Sequence, residues 1–234
     1  MHGLLQRVRD LVRLVVGGRP VEVWRALTRR LYSRGGSIGL RRDVSAPFAA
    51  PAAKLPIAVR PLAPGDDLSF LDVHQPGLSD GQVFERLGQL RLLESGISTC
   101  YVAVGPDGKL CYMQWLIPAS ENDRVRAFFG NLYPPLDPDE ALLEGAYTPE
   151  AYRGRGIMAS AMAQIAARAA ECGVRWVITF VDEANAPSLK GCERAGFAPY
   201  LRRVEAYRLF RRVIAFIPLI EAAAAASGLT SGGG

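Results

Sequence analysis

The sequence predicts an α/β fold, a mixed sheet with helices on both faces. Three observations carry that expectation. From residue 57 onward, short β-rich runs alternate with stretches of helical periodicity. The run Trp176 to Val181 is continuously apolar, as in a strand covered on both sides. Hydrophobic residues make up 49% of the 234, enough to fill a core under two helical layers.

The elements follow in order. Ile57 to Arg60 reads as a first strand, and Ala63-Pro-Gly-Asp-Asp67 leads into a helix near 68–74. A second helix covers about 82–94, with Val83, Leu87, Leu90 and Leu93 on one side. Cys100–Val104 and Leu110–Ile117 flank the turn Gly105-Pro-Asp-Gly108 and form a hairpin. Residues 118–139, with Pro118, Pro134, Pro135 and Pro138 beside Phe128, Phe129, Leu132 and Tyr133, read as an inserted loop with a short helix. A strand over Ala141–Thr148 precedes a helix over about 156–172, whose stripe is Ile157, Met158, Ala161, Met162, Ile165 and Ala169. The strand at 176–181 is followed by a short helix from Pro187 to Ala195, closed by Gly196, and a last strand over about 199–209. The expected order is β-α-α-β-β-β-α-β-α-β.

Four segments are expected: a basic amphipathic helical extension (1–42), a Pro/Ala-rich linker (43–56), the folded domain (57–212), and an apolar segment with a flexible tail (213–234). The extension holds ten arginines against Asp10 and Glu22, so the net charge of +5 is concentrated there. Its helices are read over 4–16 and 21–32, the second ended by Gly35-Gly36. Three roles stand for it: packing on the domain, docking on an anionic membrane or carrier protein through residues 1–34, or organelle targeting. No apolar stretch reaches the ~18 residues that span a bilayer. Four cysteines without a C-x-x-C pair and two histidines weigh against a metal site or a disulfide framework. They fit a reducing, cytoplasmic compartment. No nucleic-acid-binding pattern accompanies the basic charge.

The most informative residues are Arg153-Gly154-Arg155-Gly156-Ile157-Met158, between a strand and a helix. Glycines allow a tight turn and close approach to a ligand. The first turn of the following helix leaves N–H groups unpaired at the positive end of its dipole. Together they form an anion site suited to a diphosphate. By itself the turn fits an ordinary strand-to-helix loop equally well.

The stretch Leu143–Tyr200 resembles the GNAT superfamily of acyl-CoA N-acyltransferases, and the resemblance extends over roughly 56–210. Arg153 to Met158 is similar to that family's R/Q-x-x-G-x-G/A turn, with Met158 where glycine or alanine is usual. Asn185, Ser188 and Gly196-Phe197 resemble its N-x-x-A/S…G-F signature. The resemblance implies a GNAT-like fold and acetyl-CoA or another acyl-CoA as co-substrate, with no metal. It implies a coenzyme site made of Ala146, Tyr147, Thr148, Arg153, Gly154, Arg155, Gly156, Ile157, Met158, Asn185 and Ser188. Among these, Ala146 to Thr148 are the candidates for a backbone amide on the thioester oxygen. It implies transfer of an acyl group to the primary amine of a small molecule or amino-sugar. Two alternatives stay open: a longer-chain acyltransferase using acyl-CoA or an acyl carrier protein, and a weakly catalytic coenzyme-binding module.

Two residues are candidates for acid–base work. Glu144 is a carboxylate within an apolar strand, costly to bury unless paired or used, and is the expected general base, with Glu140 as the alternative. Strict alternation would put it on one face with Leu142, Ala146 and Thr148. Cys192 stands where many family members carry a tyrosine acid, and reads either as that acid or as a buried packing residue. Tyr200 and Tyr207 are the other hydroxyl candidates.

Overall fold

The computed structural model describes residues 32–208 and 211–219. The strands are β1 (Tyr32–Asp43), β2 (Ala58–Pro61), β3 (Cys100–Val104), β4 (Leu110–Pro118), β5 (Glu140–Tyr147), β6 (Trp176–Asp182), β7 (Ala198–Arg208) and β8 (Arg211–Pro218). The helices are α1 (Asp80–Glu94), α2 (Asn122–Phe129), α3 (Ile157–Ala170) and α4 (Ala186–Arg194). The strands make one sheet in the order β2-β3-β4-β5-β6-β1-β7-β8. All neighbouring pairs are antiparallel except β5 with β6. The expected mixed sheet with helices on both faces is what forms.

Each face of the sheet has its own core. On one, Leu40, Tyr112, Leu143 and Val177 pack against Ala161, Met162, Ile165 and Cys192 of α3 and α4. On the other, Met113, Trp115, Leu142 and Ile178 pack against Leu92 of α1, Val125 of α2 and Tyr133. The alternation of Leu142 and Leu143 between the two cores is the period of two expected of a strand buried on both sides. Helix α1 starts at a capping box, in which Ser79 and Gln82 satisfy each other's backbone amides.

Four expectations need correction. Residues 32–42 belong to the sheet and not to a helical extension, because β1 lies between β6 and β7. Gly36, read as part of a helix stop, and Gly39 are what admit the strand. A side-chain carbon at Gly39 would stand 2.7 Å from Leu201 and 3.0 Å from Phe180, and one at Gly36 would stand 2.6 Å from the Glu183 carboxylate. The helix read over 4–16, and all but Tyr32 of the one read over 21–32, lie outside the described residues.

The linker is a strap packed on the domain, not a boundary. The Val44 amide bonds the Arg175 carbonyl at 2.8 Å and the Lys54 amide bonds the Arg155 carbonyl at 2.8 Å. Arg42 is buried and donates to the carbonyls of Ala163 (3.1 Å) and Ala195 (3.3 Å), beneath the Phe48 ring at 4.3 Å.

The helix expected near 68–74 shrinks to one 3-10 turn, Ser69–Leu71. Beyond it the backbone serves Arg86, which donates to the Asp72 carbonyl at 2.7 Å and to Gln75 at 2.9 Å. The apolar stretch from 213 extends the sheet as β8, paired along β7. Its exposed Val213 and Ile217 alternate with the inward Ile214 and Phe216, a period hidden in the sequence because both faces are apolar.

The loop after β2 closes on a fork between Arg60 and Asp66, at 2.8 and 2.6 Å, with the Ala63 amide also on Asp66 at 2.8 Å. The Arg60 hydrogen bond holds the Asp66 carboxyl down at about 2. A depressed pKa stabilises the fold above the unfolded-state value and loses that contribution as pH falls through the folded one. Asp66→Asn is expected to lower the melting temperature at pH 6, with a deficit that closes toward pH 2. A deficit of constant size across that range in a thermal-melt series would contradict the role of the fork.

Candidate active site

The site begins where β5 and β6 part. They pair only from Glu140–Leu142 to Trp176–Ile178. Beyond Leu142 the other edge of β5 bulges. Trp115 faces Glu144 and Met113 faces Tyr147, so Gly145 and Ala146 together lie opposite Gln114. Gly145 takes the positive φ of 68° that such a bulge requires. No side chain fits there, since a Cβ would stand 2.7 Å from Leu92 and 2.9 Å from the Trp115 ring.

The gap between the strands is a cleft of about 230 Å³ that passes through the sheet. On the α3/α4 side it is lined by Met158, Met162, Asn185 and Ser188, and on the opposite side by Gln89, Glu144 and Phe180. Gln89 is nearly fully buried and its Oε1 has no hydrogen-bond partner among the described residues. An orphaned acceptor beside a slot of this size suits an amide-bearing chain such as the pantetheine arm.

The glycine turn leads into the helix whose Met158 and Met162 line the cleft. Gly154 (φ 72°) and Gly156 (φ 74°) are left-handed, and Gly156 caps α3 without a side-chain bond to the first-turn amides. The space above Gly154 is open to 4 Å. These features fit a diphosphate, with the first-turn amides and the helix dipole as its ligands. Arg155 is exposed and packs 6.0 Å from the Tyr152 ring. Arg194, missed in the sequence because it belongs to α4, brings its Nη2 to 3.7 Å from the position of a Gly156 Cβ. Lys54 follows on the strap, bonded through its amide to Arg155.

Arg153 departs from its expected part. Its guanidinium bonds the Thr148 carbonyl (2.9 Å) and Glu85 (2.9 Å), with Glu150 at 3.6 Å. It ties α1 to the segment leading into the turn and does not add charge to the anion site. Arg86 supports the same segment through Glu150 at 3.3 Å. Met158 fits because its neighbour is small. A Cβ on Gly191 of α4 would come within 3.1 Å of the Met158 sulfur, so the two helices keep their spacing by exchanging large for small at facing positions. Asn185 caps α4, its Oδ1 accepting from the Ser188 amide at 3.2 Å, and also lines the cleft.

Glu144 is half-buried in the cleft on the Tyr133 side. Burial pushes its carboxyl up, against the opposing pull of the Tyr133 hydroxyl, the Gly145 amide and the Arg203 charge. Glu140 lies at the start of β5, where its carboxylate accepts from the Asp137 amide at 3.1 Å, away from the cleft. The bulge also corrects the expected face. Leu142 is followed on its side by Tyr147, whereas Ala146 lines the cleft and Thr148 offers its carbonyl to Arg153. The side chains of Tyr147 and Ile157 are buried, so only their backbone is free to meet a ligand.

Cys192 is fully buried, with Sγ 3.8 Å from the Met162 sulfur, and burial pushes its thiol up to about 12. Of its two readings the packing one matches this setting, because so weak an acid is a poor match for a thiolate leaving group. Tyr200 lies outside the cleft lining, under Arg41 at 5.3 Å, with its phenol pushed up by burial. The Tyr207 side chain lies outside the described residues.

Residues 99–197 match the model of the Acetyltransferase (GNAT) family, in keeping with the resemblance of the motifs. Several solved structures are similar. A GCN5-related N-acetyltransferase from Sphaerobacter thermophilus is 17% identical, with a TM-score of 0.49 over 82% of this chain and 57% of that one. A GNAT-family acetyltransferase from Colwellia psychrerythraea is 15% identical, with a TM-score of 0.49 over 80% and 61%. A glucosamine N-acetyltransferase region in a fungal multi-domain GH3 beta-N-acetylglucosaminidase is 14% identical, with a TM-score of 0.50 over 85% and 23%. The chain thus spans less than two thirds of the length of these structures. A search of curated proteins finds no match.

Gly145→Ala puts a methyl group against Leu92 and Trp115 and strains a left-handed backbone. It is expected to destabilise the fold by roughly 1–3 kcal/mol and to weaken coenzyme A binding at least tenfold. Denaturant melts and calorimetry check both. Unchanged affinity in a folded variant would show that the bulge does not shape the cleft.

Proposed function

We propose that the chain transfers an acetyl group from acetyl-CoA to the primary amine of a small molecule. The observation that carries this reading is a cleft, beyond the point where β5 and β6 part, that is lined by Glu144 and by Met158, the second residue of the helix the glycine turn caps. The family match over residues 99–197 supports it.

When bound, the coenzyme supplies the acyl thioester, the electrophile of the reaction. The amides that follow Gly154 and Gly156 hold the pyrophosphate, with Arg155 and Arg194 adding charge. Gln89 and Asn185 face the pantetheine arm. The backbone at Gly145–Tyr147 is the nearest source of an amide for the thioester oxygen, because the bulge interrupts its pairing with β4. Glu144 takes the proton that the amine loses. Its raised pKa moves a carboxylate toward neutrality and makes it a better base near pH 7 than an exposed glutamate. No helix among the described residues is long and apolar enough to cross a membrane.

Thiol release from acetyl-CoA across a panel of primary amines tests the reading, with Glu144→Gln as the control. The variant is expected to lose at least a hundredfold in kcat and to keep its coenzyme affinity. The wild-type acid limb is expected above the ordinary carboxylate range. A folded-state pKa raised by burial stabilises below the unfolded value and loses that contribution as pH rises through it. Glu144→Gln is therefore expected to raise the melting temperature at pH 8 more than at pH 4. Equal rates for wild type and variant would remove Glu144 from the mechanism, and no thiol release with any amine would overturn the proposal.

A further inference from the structure

We infer that the acceptor is held in a second cavity, between the segment 122–135 and β8, and that this cavity selects amines with an aromatic or branched apolar body. The inference rests on the acyl-transfer reading above and specifies its other substrate.

The cavity is about 400 Å³, larger than the cleft and within the usual range for a small-molecule site. Its walls include Val125, Tyr133, Pro134 and Pro135 on one side and Ile214 and Phe216 on the other. The exposed Asp123 and Arg126 stand at its rim. Such a site rewards burial of an apolar group and leaves polar ends of the ligand near water.

The walls are fixed. Asn122 brackets the far end of the segment, its Nδ2 donating to the Leu136 carbonyl and its Oδ1 accepting from the Leu136 amide, both at 2.9 Å. Arg203 of β7 holds the Leu132 carbonyl at 3.1 Å, and Arg212 of β8 holds the Phe129 carbonyl at 3.1 Å. The sheet therefore clamps the loop at two carbonyls, and the space between them is a built feature.

Tyr133 joins this cavity to the chemistry. Its ring lines the cavity, and its phenol and the Glu144 carboxylate act on each other electrostatically. Phe180, which lines the coenzyme cleft, packs on Tyr133 at 5.4 Å and on Phe216 at 6.2 Å. The pair Tyr133–Phe180 thus stands where cleft and cavity adjoin. As the amine attacks, Glu144 takes its proton. The new C–N bond replaces the thioester C–S bond, and the leaving sulfur finally takes up that proton through solvent.

Methyl NMR on the full chain tests the inference, with phenethylamine and ethylamine as probes in the presence of saturating coenzyme A. Phenethylamine is expected to shift the Ile214 δ-methyl, at least tenfold more tightly than ethylamine, while coenzyme A shifts the Met158 methyl. Ile214→Trp, which fills the cavity from β8, is expected to weaken phenethylamine at least tenfold and to leave the coenzyme response intact. An unmoved Ile214 methyl, or equal affinity in the tryptophan variant, would overturn the second cavity. Equal binding of the two amines would overturn its selectivity. An unmoved Met158 methyl on adding coenzyme A would instead show that the acyl-transfer reading itself fails.

Discussion

Strands β5 and β6 stay paired for three residues each and then separate, and the cleft depends on that separation. A sheet with every strand paired has no opening through it. The extra residue in β5 at Gly145–Ala146 increases the local twist and turns the strand away from its parallel neighbour. Leu92 and Trp115 close over Gly145 so tightly that only glycine fits. One backbone conformation thereby sets the width of the slot, the face on which Glu144 emerges and the exposure of the Ala146 backbone. The opening is stabilised by packing on both cores and not by any one strong bond.

The glycine turn depends on its surroundings as much as on its own residues. Arg153 and Arg86 hold its approach to α1 through Glu85 and Glu150. The strap holds its other side through Lys54. The charge available to an anion then comes from Arg155 and Arg194, on either side of Gly156. Met158 and Gly191 interlock, which explains how a large residue is tolerated next to the turn.

Features set by neighbours in the chain were legible in the sequence. The turn, the hairpin β3–β4, helix α3 and the apolar strand β6 all appear where their local patterns put them. What escaped was set by residues far away. Gly36 resembles a breaker until Glu183 is known to press on it, and nothing local marks Gly39 as lying against Leu201 and Phe180. Gly145 reads as an ordinary strand residue until its register with Trp115 is known, and the period-two placement of Ala146 and Thr148 fails for the same reason. Arg194 and Gln89 carry no motif, because each reaches the cleft only through the packing of its helix. Cys192 carries two readings in the sequence, and the burial against Met162 that bears on them is set by the packing of two helices.

Cleft and turn meet in one expectation about where the coenzyme touches the chain. A titration of coenzyme A followed by amide NMR reads it directly. The largest shifts are expected at Gly154 to Ala159 and at Gly145 to Tyr147, on both sides of the opening between β5 and β6. Shifts confined to other parts of the sheet, with these two segments unmoved, would contradict the assignment of the opening as the coenzyme site.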